Sequence, residues 1–179
     1  MTSTASSHGR LLVVTVVGHD RPGIIAEVTG VLAELGANLE DSAMTILRGH
    51  FAMVLVASAE VTAEEAKRAL TSLAGTSLSV SVREVPDESV HAAVGPLYLL
   101  SVHGADRPGI VSTVTAKVSA TGGNITDLTT RLADGLYVLV AKVEVPVAAD
   151  LDALTGWLTD VARDLGVDVS LRALDTDDR

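Results

Sequence analysis

A stretch of 32 residues near the start of the chain returns in altered form 86 positions later. Residues 18–49 and 104–135 align without a gap and share 12 identities, among them the run Asp-Arg-Pro-Gly-Ile at 20–24 and at 106–110. An internal repeat of this kind indicates one structural unit used twice. Because 179 residues can hold two small domains, each with a modest core, the sequence predicts two units of the same fold.

The unit begins with a strand and a helix on either side of the repeated turn. Residues 11–17 form a near-continuous β-branched run, which predicts a central strand buried on both faces. From Pro22 onward apolar residues recur three and four apart, which predicts a helix over 22–35 with Pro22 in its first turn and Gly36 just beyond its end. The repeated turn therefore connects a strand to a helix.

A hairpin, a second helix and a last strand complete the unit. Two β-prone segments, 39–47 and 51–57, flank a short turn that contains Gly49, which predicts an antiparallel hairpin. Thr62 followed by Glu65 has the spacing of a capping box at the start of a helix. The alternation over 78–82 then predicts a half-buried strand. The second copy repeats this order, with strands over 97–103, 124–132, 136–143 and 167–173 and with helices after the first and third of them.

This βαββαβ order predicts an α+β fold of two ferredoxin-like sandwiches, each with a four-stranded antiparallel sheet and two helices on one face. The first and third strands are expected at the centre of each sheet. The predicted domains are 11–85 and 96–174, with a linker over 86–95, a disordered tail over 1–10 and an acidic tail over 175–179. Edge-to-edge pairing of the second strands would give one eight-stranded sheet and remove two open edges.

Composition narrows the classes of function. The formal net charge is −10, from 13 basic and 23 acidic side chains, and no basic run occurs, so we expect no direct binding of nucleic acid. The absence of cysteine excludes disulfides, thiolate chemistry and Cys-ligated metal. The histidines at 19, 50, 91 and 103 lack the spacing of metal ligands, and we expect no metal and no cofactor.

Two further expectations come from the apolar residues. Phe51 and Trp157, two of only four aromatic residues, are expected to anchor the cores. Residues 11–17 are too short to cross a bilayer, and the polar residues at 1–10 do not have the pattern of a secretory signal. We therefore expect a cytoplasmic protein without a membrane association.

The repeated turn and the Asn that follows the helix carry groups that suit a zwitterion. A helix N-terminus presents N–H groups and partial positive charge to a carboxylate, and Gly23 lets a ligand approach the backbone. Side-chain oxygens of Asp20 and Asn38 can accept hydrogen bonds from an ammonium. Each residue also has a structural alternative: Asp20 as a helix cap and Asn38 as a turn residue. For Arg21 and Arg107 the alternative is a surface side chain or the partner of a nearby Asp.

These residues resemble the ACT domain, a small amino-acid-sensing regulatory module. The resemblance rests on residues 20–24 with Gly-Ala-Asn-Leu at 36–39, and on residues 106–110 with Gly-Gly-Asn-Ile at 122–125. It implies that the amino acid lies between two domains, held by the turn and by the Asn. The ligand-binding residues it implies, with no catalytic residue, are Asp20, Arg21, Pro22, Gly23, Asn38, Leu39, Asp106, Arg107, Pro108, Gly109, Asn124 and Ile125.

A chain of two such modules is similar to the glycine cleavage system transcriptional repressor family, whose members contact a transcription factor in response to an amino acid. The resemblance implies a non-enzymatic regulator that binds an amino acid and a protein partner, either as one chain or as a homodimer. Serine-binding ACT domains have Asn where this chain has Asp20, and some have His where it has Gly18, so the ligand need not be serine. The alternatives are a regulatory subunit of an amino-acid-metabolic enzyme and an acylphosphatase-like hydrolase that uses Arg21 and Asn38.

Overall fold

The computed structural model describes residues 9–74, 77–86 and 95–174, and the chain forms two compact units, residues 1–88 and 89–179. Unit 1 contains β1 (Arg10–His19), α1 (Ile24–Glu34), β2 (Asn38–Leu47), β3 (His50–Ala59), α2 (Ala63–Ala74) and β4 (Leu78–Val85). Unit 2 contains β5 (Leu97–Ala105), α3 (Ile110–Ala120), β6 (Asn124–Ala133), β7 (Leu136–Glu144), α4 (Leu151–Leu165) and β8 (Val167–Ala173). Both units have the predicted βαββαβ order.

Each unit has its own four-stranded antiparallel sheet, in the order β2-β3-β1-β4 and β6-β7-β5-β8. The first and third strands of each unit are central, as the ferredoxin-like topology predicts. The predicted boundaries at 11 and 174 lie close to the ends of β1 and β8, since β1 begins at Arg10 and β8 ends at Ala173. The predicted tails and linker fall mostly on 1–8, 87–94 and 175–179, which lie outside the described residues.

The predicted start of α1 at Pro22 is wrong. Gly23 is the N-cap residue with φ 93° and ψ −9°, and the helix begins only at Ile24. Pro22 therefore lies in the turn before the helix, because the chain must pass through a left-handed residue before it can enter the helix. The C-terminal prediction is confirmed, since Gly36 follows the helix with φ 71° and donates from its N–H to the carbonyl of Ala33 at 2.9 Å.

The hairpins and the capping box form as predicted. Arg48 and Gly49 connect β2 to β3 with φ of 50° and 81°, the left-handed pair of a type I′ turn. Asp134 and Gly135 do the same in unit 2, with φ of 53° and 79°. At the start of α2 the Thr62 N–H donates to Glu65 Oε2 at 2.9 Å, and the Glu65 N–H donates to Thr62 Oγ1 at 3.3 Å.

The core of each unit lies between the sheet and its two helices. In β1 the side chains of Leu12, Val14 and Val16 are fully buried, whereas Val17 is 44% exposed. The expectation of burial on both faces is therefore wrong, because the helices cover one face and the strand alternates accordingly. Phe51 anchors the core of unit 1 as expected, with 1% of its surface exposed.

Trp157 does not anchor the core of unit 2. The buried stripe of α4 consists of Leu154, Leu158 and Val161, and Trp157 lies at its edge with 39% of its surface exposed. The ammonium of Lys117 lies 5.7 Å from the centroid of the indole ring, within the range of a cation–π contact. The expectation failed because periodicity places Trp157 beside the apolar stripe without fixing which edge residues the neighbouring helix covers.

Candidate functional site

The repeated turn of unit 1 lies at one end of the sheet, between β1 and α1. Its first residue, Asp20, donates from its N–H to the carbonyl of Gly49 at 2.9 Å, which ties the turn to the β2–β3 hairpin. No described side chain caps α1, and Asp20 is exposed. Asp20 therefore does not cap the helix. The backbone N–H groups of the first helical turn have no i−4 acceptor within the helix.

Arg21 is held by a carboxylate of the following helix. Its Nη1 and Nη2 donate to Glu27 Oε1 and Oε2, both at 2.6 Å, in a bidentate pair. These hydrogen bonds hold the pKa of Glu27 below its usual range and raise the pKa of Arg21. The partner of Arg21 is thus a Glu six positions along the chain, where one of the two alternatives expected an Asp.

An open pocket of about 490 Å³ lies beside this turn. Residues 20–23 of the turn line one part of it. Its apolar lining comes from α1, β2 and β3, namely Ile24, Ile25, Ala26, Met44, Ile46 and Phe51. The turn therefore opens onto a depression of the volume at which small-molecule sites occur.

The structure places Asn38 at the opposite end of the same sheet. Asn38 lies opposite Ser58, which lies opposite Leu11 near the start of β1. Since a strand rises about 3.3 Å per residue, Leu11 and Asp20 are about 30 Å apart. One unit therefore does not bring Asn38 and Leu39 together with residues 20–23 of its turn.

Unit 2 repeats the turn with different neighbours. Gly109 is the N-cap residue of α3 with φ 94°, and Thr113 stands where unit 1 has Glu27. No described carboxylate pairs with Arg107, which is exposed and whose guanidinium lies beside Gly166 at the C-terminus of α4. Asp106 and Pro108 of this turn are also exposed.

The Asn of unit 2 also lies at the far end of its sheet, opposite Glu144. Asn124 and Ile125 line a depression of about 440 Å³ together with residues of α3. Both units thus carry a turn at one end of the sheet and an Asn at the other.

Two histidines stand beside the unit 1 turn, an arrangement that the sequence did not reveal. His19 and His50 are directly opposite each other in the β1–β3 register, with ring centroids 4.9 Å apart. Their proximity follows from the register of the two strands, which the spacing of the histidines along the chain does not contain. Among the described residues no group of three or more His, Cys, Asp or Glu side chains is arranged to hold a metal ion.

Sequence reasoning missed the apolar wall of the pocket and the carboxylate that pairs with Arg21. Met44 and Ile46 alternate along β2 and could have been assigned to one face, but their position beside α1 follows only from the sheet order. Glu27 carries no sequence signal, because a contact across six residues depends on the left-handed geometry at Gly23.

Within the described part of the chain, no helix is long and apolar enough to cross a membrane.

Both units are thus ferredoxin-like sandwiches with the same turn at the same place in the fold. The family model for the ACT domain matches residues 10–83 and residues 97–172, which together make up most of the chain. The chain belongs to the ACT domain family and consists of two such domains.

Two relatives of the sequence match about half of this chain over nearly their whole length. A UPF0237 protein of Methanopyrus kandleri is 45% identical over 85 residues, which are 46% of this chain and 92% of that protein. A UPF0237 protein of Lactococcus lactis is 39% identical over 85 residues, which are 48% of this chain and 97% of that protein. In these relatives the matched segment is nearly the whole protein.

Two solved structures match nearly the whole chain. An unknown protein from Galdieria sulphuraria is 30% identical with a TM-score of 0.79, over 93% of this chain and 99% of that one. A protein named as a glycine cleavage system transcriptional repressor is 20% identical with a TM-score of 0.72, over 93% of this chain and 98% of that one. At 20% identity, the similarity to the second protein shows a shared fold.

Proposed function

We propose that this chain is a non-catalytic regulatory protein that binds a free amino acid at its repeated turn and acts through contact with a protein partner. The observation that supports the proposal is the uncapped start of α1, which opens on a pocket of about 490 Å³ beside Asp20 in a chain of two ACT domains. Membership of the ACT family gives the regulatory class, and the proposal adds the ligand and the partner.

The groups at the turn suit the two charges of an amino acid. The N–H groups of Ile24 and Ile25 lie at the positive end of the helix and can donate to an α-carboxylate. The exposed carboxylate of Asp20 can accept from the α-ammonium. Arg21 contributes by closing one side of the pocket, since both of its terminal nitrogens are engaged by Glu27.

We further propose that the Asn of a second ACT domain completes each site. Asn38 and Asp20 are at opposite ends of one sheet, so a single domain supplies either the turn or the Asn at a given site. Antiparallel pairing of two β2-type edge strands would place the Asn of one domain next to the turn of the other. We propose that another copy of the chain supplies the second domain, and Leu39 and Ile125 follow the Asn in the two domains.

The partner that we favour is a transcription factor, in a cytoplasmic complex that responds to the amino acid. The fold likeness to a protein named as a glycine cleavage system transcriptional repressor supports this choice, as does an acidic chain without a basic run. A regulatory subunit of an amino-acid-metabolic enzyme is the second candidate. Affinity capture from native lysate separates the two, because it retains either a transcription factor or an enzyme.

The hydrolase alternative loses its geometric basis. An acylphosphatase-like site needs Arg21 and Asn38 at one phosphate, yet they lie at opposite ends of the sheet, which β1 spans over about 30 Å. Arg21 is also occupied by Glu27 in two hydrogen bonds of 2.6 Å. We therefore propose no reaction for this chain.

A thermal-shift screen against the twenty common amino acids tests the proposal. Binding at 100 times the dissociation constant stabilises the folded state by about 2.7 kcal/mol, enough for a clear rise in melting temperature. We expect at least one amino acid to raise it, and the rise to shrink in Asp20→Ala and in the double variant Asn38→Ala, Asn124→Ala.

Glu34→Ala is the matched control, because it removes an exposed carboxylate from the other end of α1. It should leave the rise unchanged. If no amino acid stabilises the protein, or if the turn and Asn variants respond like the wild type, the proposed function is wrong.

A further inference from the structure

Apart from the turn residues 20–23, every residue that lines the pocket beside the unit 1 turn is apolar. Its far wall consists of Met44 and Ile46 from β2, with Phe51 behind them. Met44 and Ile46 are 43% and 42% exposed, so their apolar surface faces the open pocket. A ligand held at the start of α1 would direct its side chain along this wall.

The guanidinium that could attract an acidic side chain is already neutralised. Glu27 binds Arg21 through both carboxylate oxygens at 2.6 Å. A side-chain carboxylate of the ligand would have to displace Glu27 from both of these hydrogen bonds before it could pair with Arg21. A polar side chain against Met44 and Ile46 would lose water without gaining a hydrogen-bond partner.

The same positions in unit 2 are occupied by more polar residues. A shift of 86 places Thr130 at the position of Met44, Ser112 at that of Ala26 and Tyr137 at that of Phe51. Thr113 replaces Glu27, so the ion pair beside the pocket is specific to unit 1. The two turns are alike in backbone, and the side chains around them differ.

We propose that the unit 1 site selects amino acids with an apolar side chain, and that Met44 and Ile46 together with the Arg21–Glu27 pair determine this selectivity. The inference rests on the proposed amino-acid binding at the turn and adds the ligand class. Leucine, isoleucine, valine and methionine are the expected ligands of unit 1. Aspartate, glutamate and serine are the amino acids it rejects.

Calorimetric titration of the full chain tests the selectivity directly. Leucine, methionine, serine and glutamate are titrated separately into the wild type and into Met44→Thr, which carries the residue found at the same position in unit 2. Because Met44 is 43% exposed and outside the buried core, the substitution should leave the fold intact, and circular dichroism checks this. We expect leucine and methionine to bind more tightly than serine and glutamate, and Met44→Thr to weaken their binding about tenfold, the effect of losing a few apolar atoms from such a pocket.

Val54→Thr is the matched control. Val54 is 44% exposed, close to the exposure of Met44, but it does not line the pocket, because it lies on the opposite face of the sheet. The Val54→Thr variant should bind leucine as tightly as the wild type does.

Three outcomes would overturn the inference. If serine or glutamate binds as tightly as leucine, or if Met44→Thr leaves leucine binding unchanged, the selectivity is wrong while amino-acid binding itself stands. If none of the four amino acids binds and the screen of all twenty is also negative, the proposed function fails and the selectivity fails with it.

Discussion

Gly23 decides how the repeated turn enters its helix. With φ at 93° it occupies a conformation that residues with a Cβ rarely adopt, although an added Cβ would meet Glu27 Oε1 only at 3.6 Å. The backbone conformation at position 23 therefore requires glycine, whereas the surrounding space would admit a Cβ.

Substitutions at two glycines of the same segment should have opposite effects. Gly23→Ala should destabilise the protein by about 1–2 kcal/mol, the strain of a left-handed residue with a Cβ. Gly30→Ala, inside α1 where an added Cβ would meet no described atom within 4 Å, should stabilise it by about 1 kcal/mol. Urea unfolding measures both, and a loss of stability in Gly30→Ala equal to that in Gly23→Ala would contradict the account.

The Arg21–Glu27 pair predicts a specific dependence of stability on pH. Because the pKa of Glu27 is lowered in the folded state by its hydrogen bonds from Arg21, the pair stabilises the fold above the unfolded pKa of about 4.3. That contribution disappears as the pH falls through the lower, folded pKa. Glu27→Gln should therefore be less stable than the wild type near pH 6, with the difference shrinking toward pH 3.

Urea midpoints across this range measure the effect. Glu34→Gln is the control for the removal of one negative charge from α1. A difference between wild type and Glu27→Gln that stays constant from pH 6 to pH 3 would show that the pair does not contribute in this way.

Most of the elements were predictable because their signals are local. The capping box at Thr62 and Glu65 and the left-handed turn at Arg48 and Gly49 need only neighbours within a few residues. The start of α1 was not predictable, because the left-handed residue at Gly23 separates the preceding proline from the helix. Local patterns locate an element more reliably than they locate its first residue.

The capping box of α2 gives a prediction at the level of the element. Thr62→Ala removes the oxygen that accepts from the Glu65 N–H at 3.3 Å and should lower the free energy of unfolding by about 1 kcal/mol. Thr71→Ala, at an exposed position inside α2, removes the same atoms without a cap and should be neutral or slightly stabilising. Equal losses in the two variants, measured by urea unfolding, would count against a capping role for Thr62.

The geometry of the candidate site could not be predicted from the sequence, because it depends on the strand order and register of the sheet. The recurrence of Asp20 and Asn38 in both halves marked them as a pair of candidate functional groups, but the register places them at opposite ends of one sheet. Met44 and Ile46 form a pocket wall because the folded sheet puts them at the same pocket as residues of α1. Contacts between elements distant in sequence follow from topology, and local periodicity does not contain them.

Each unit of the molecule has its own core. The buried cluster of unit 1 includes Leu12 of β1 and Phe51 of β3, and that of unit 2 includes Leu100, Leu139 and Leu154. No described residue belongs to both clusters. The relative from Methanopyrus kandleri, matched over 92% of its length by 46% of this chain, is a protein of about one such unit.

We therefore expect residues 9–86 and 95–174 to fold when expressed separately. Each fragment should unfold cooperatively in urea and give a dispersed amide spectrum. A fragment without dispersed amide signals would show that its fold depends on the rest of the chain.

The central claim is that the repeated turn binds a free amino acid. Amide chemical shifts of the full chain during titration with the amino acid that gives the largest thermal shift test this claim most directly. We predict that the changes concentrate at residues 20–26 and at Met44 and Ile46, and that Asp20→Ala reduces them. Changes confined to surfaces away from both repeated turns, or changes of undiminished size in Asp20→Ala, would contradict the claim.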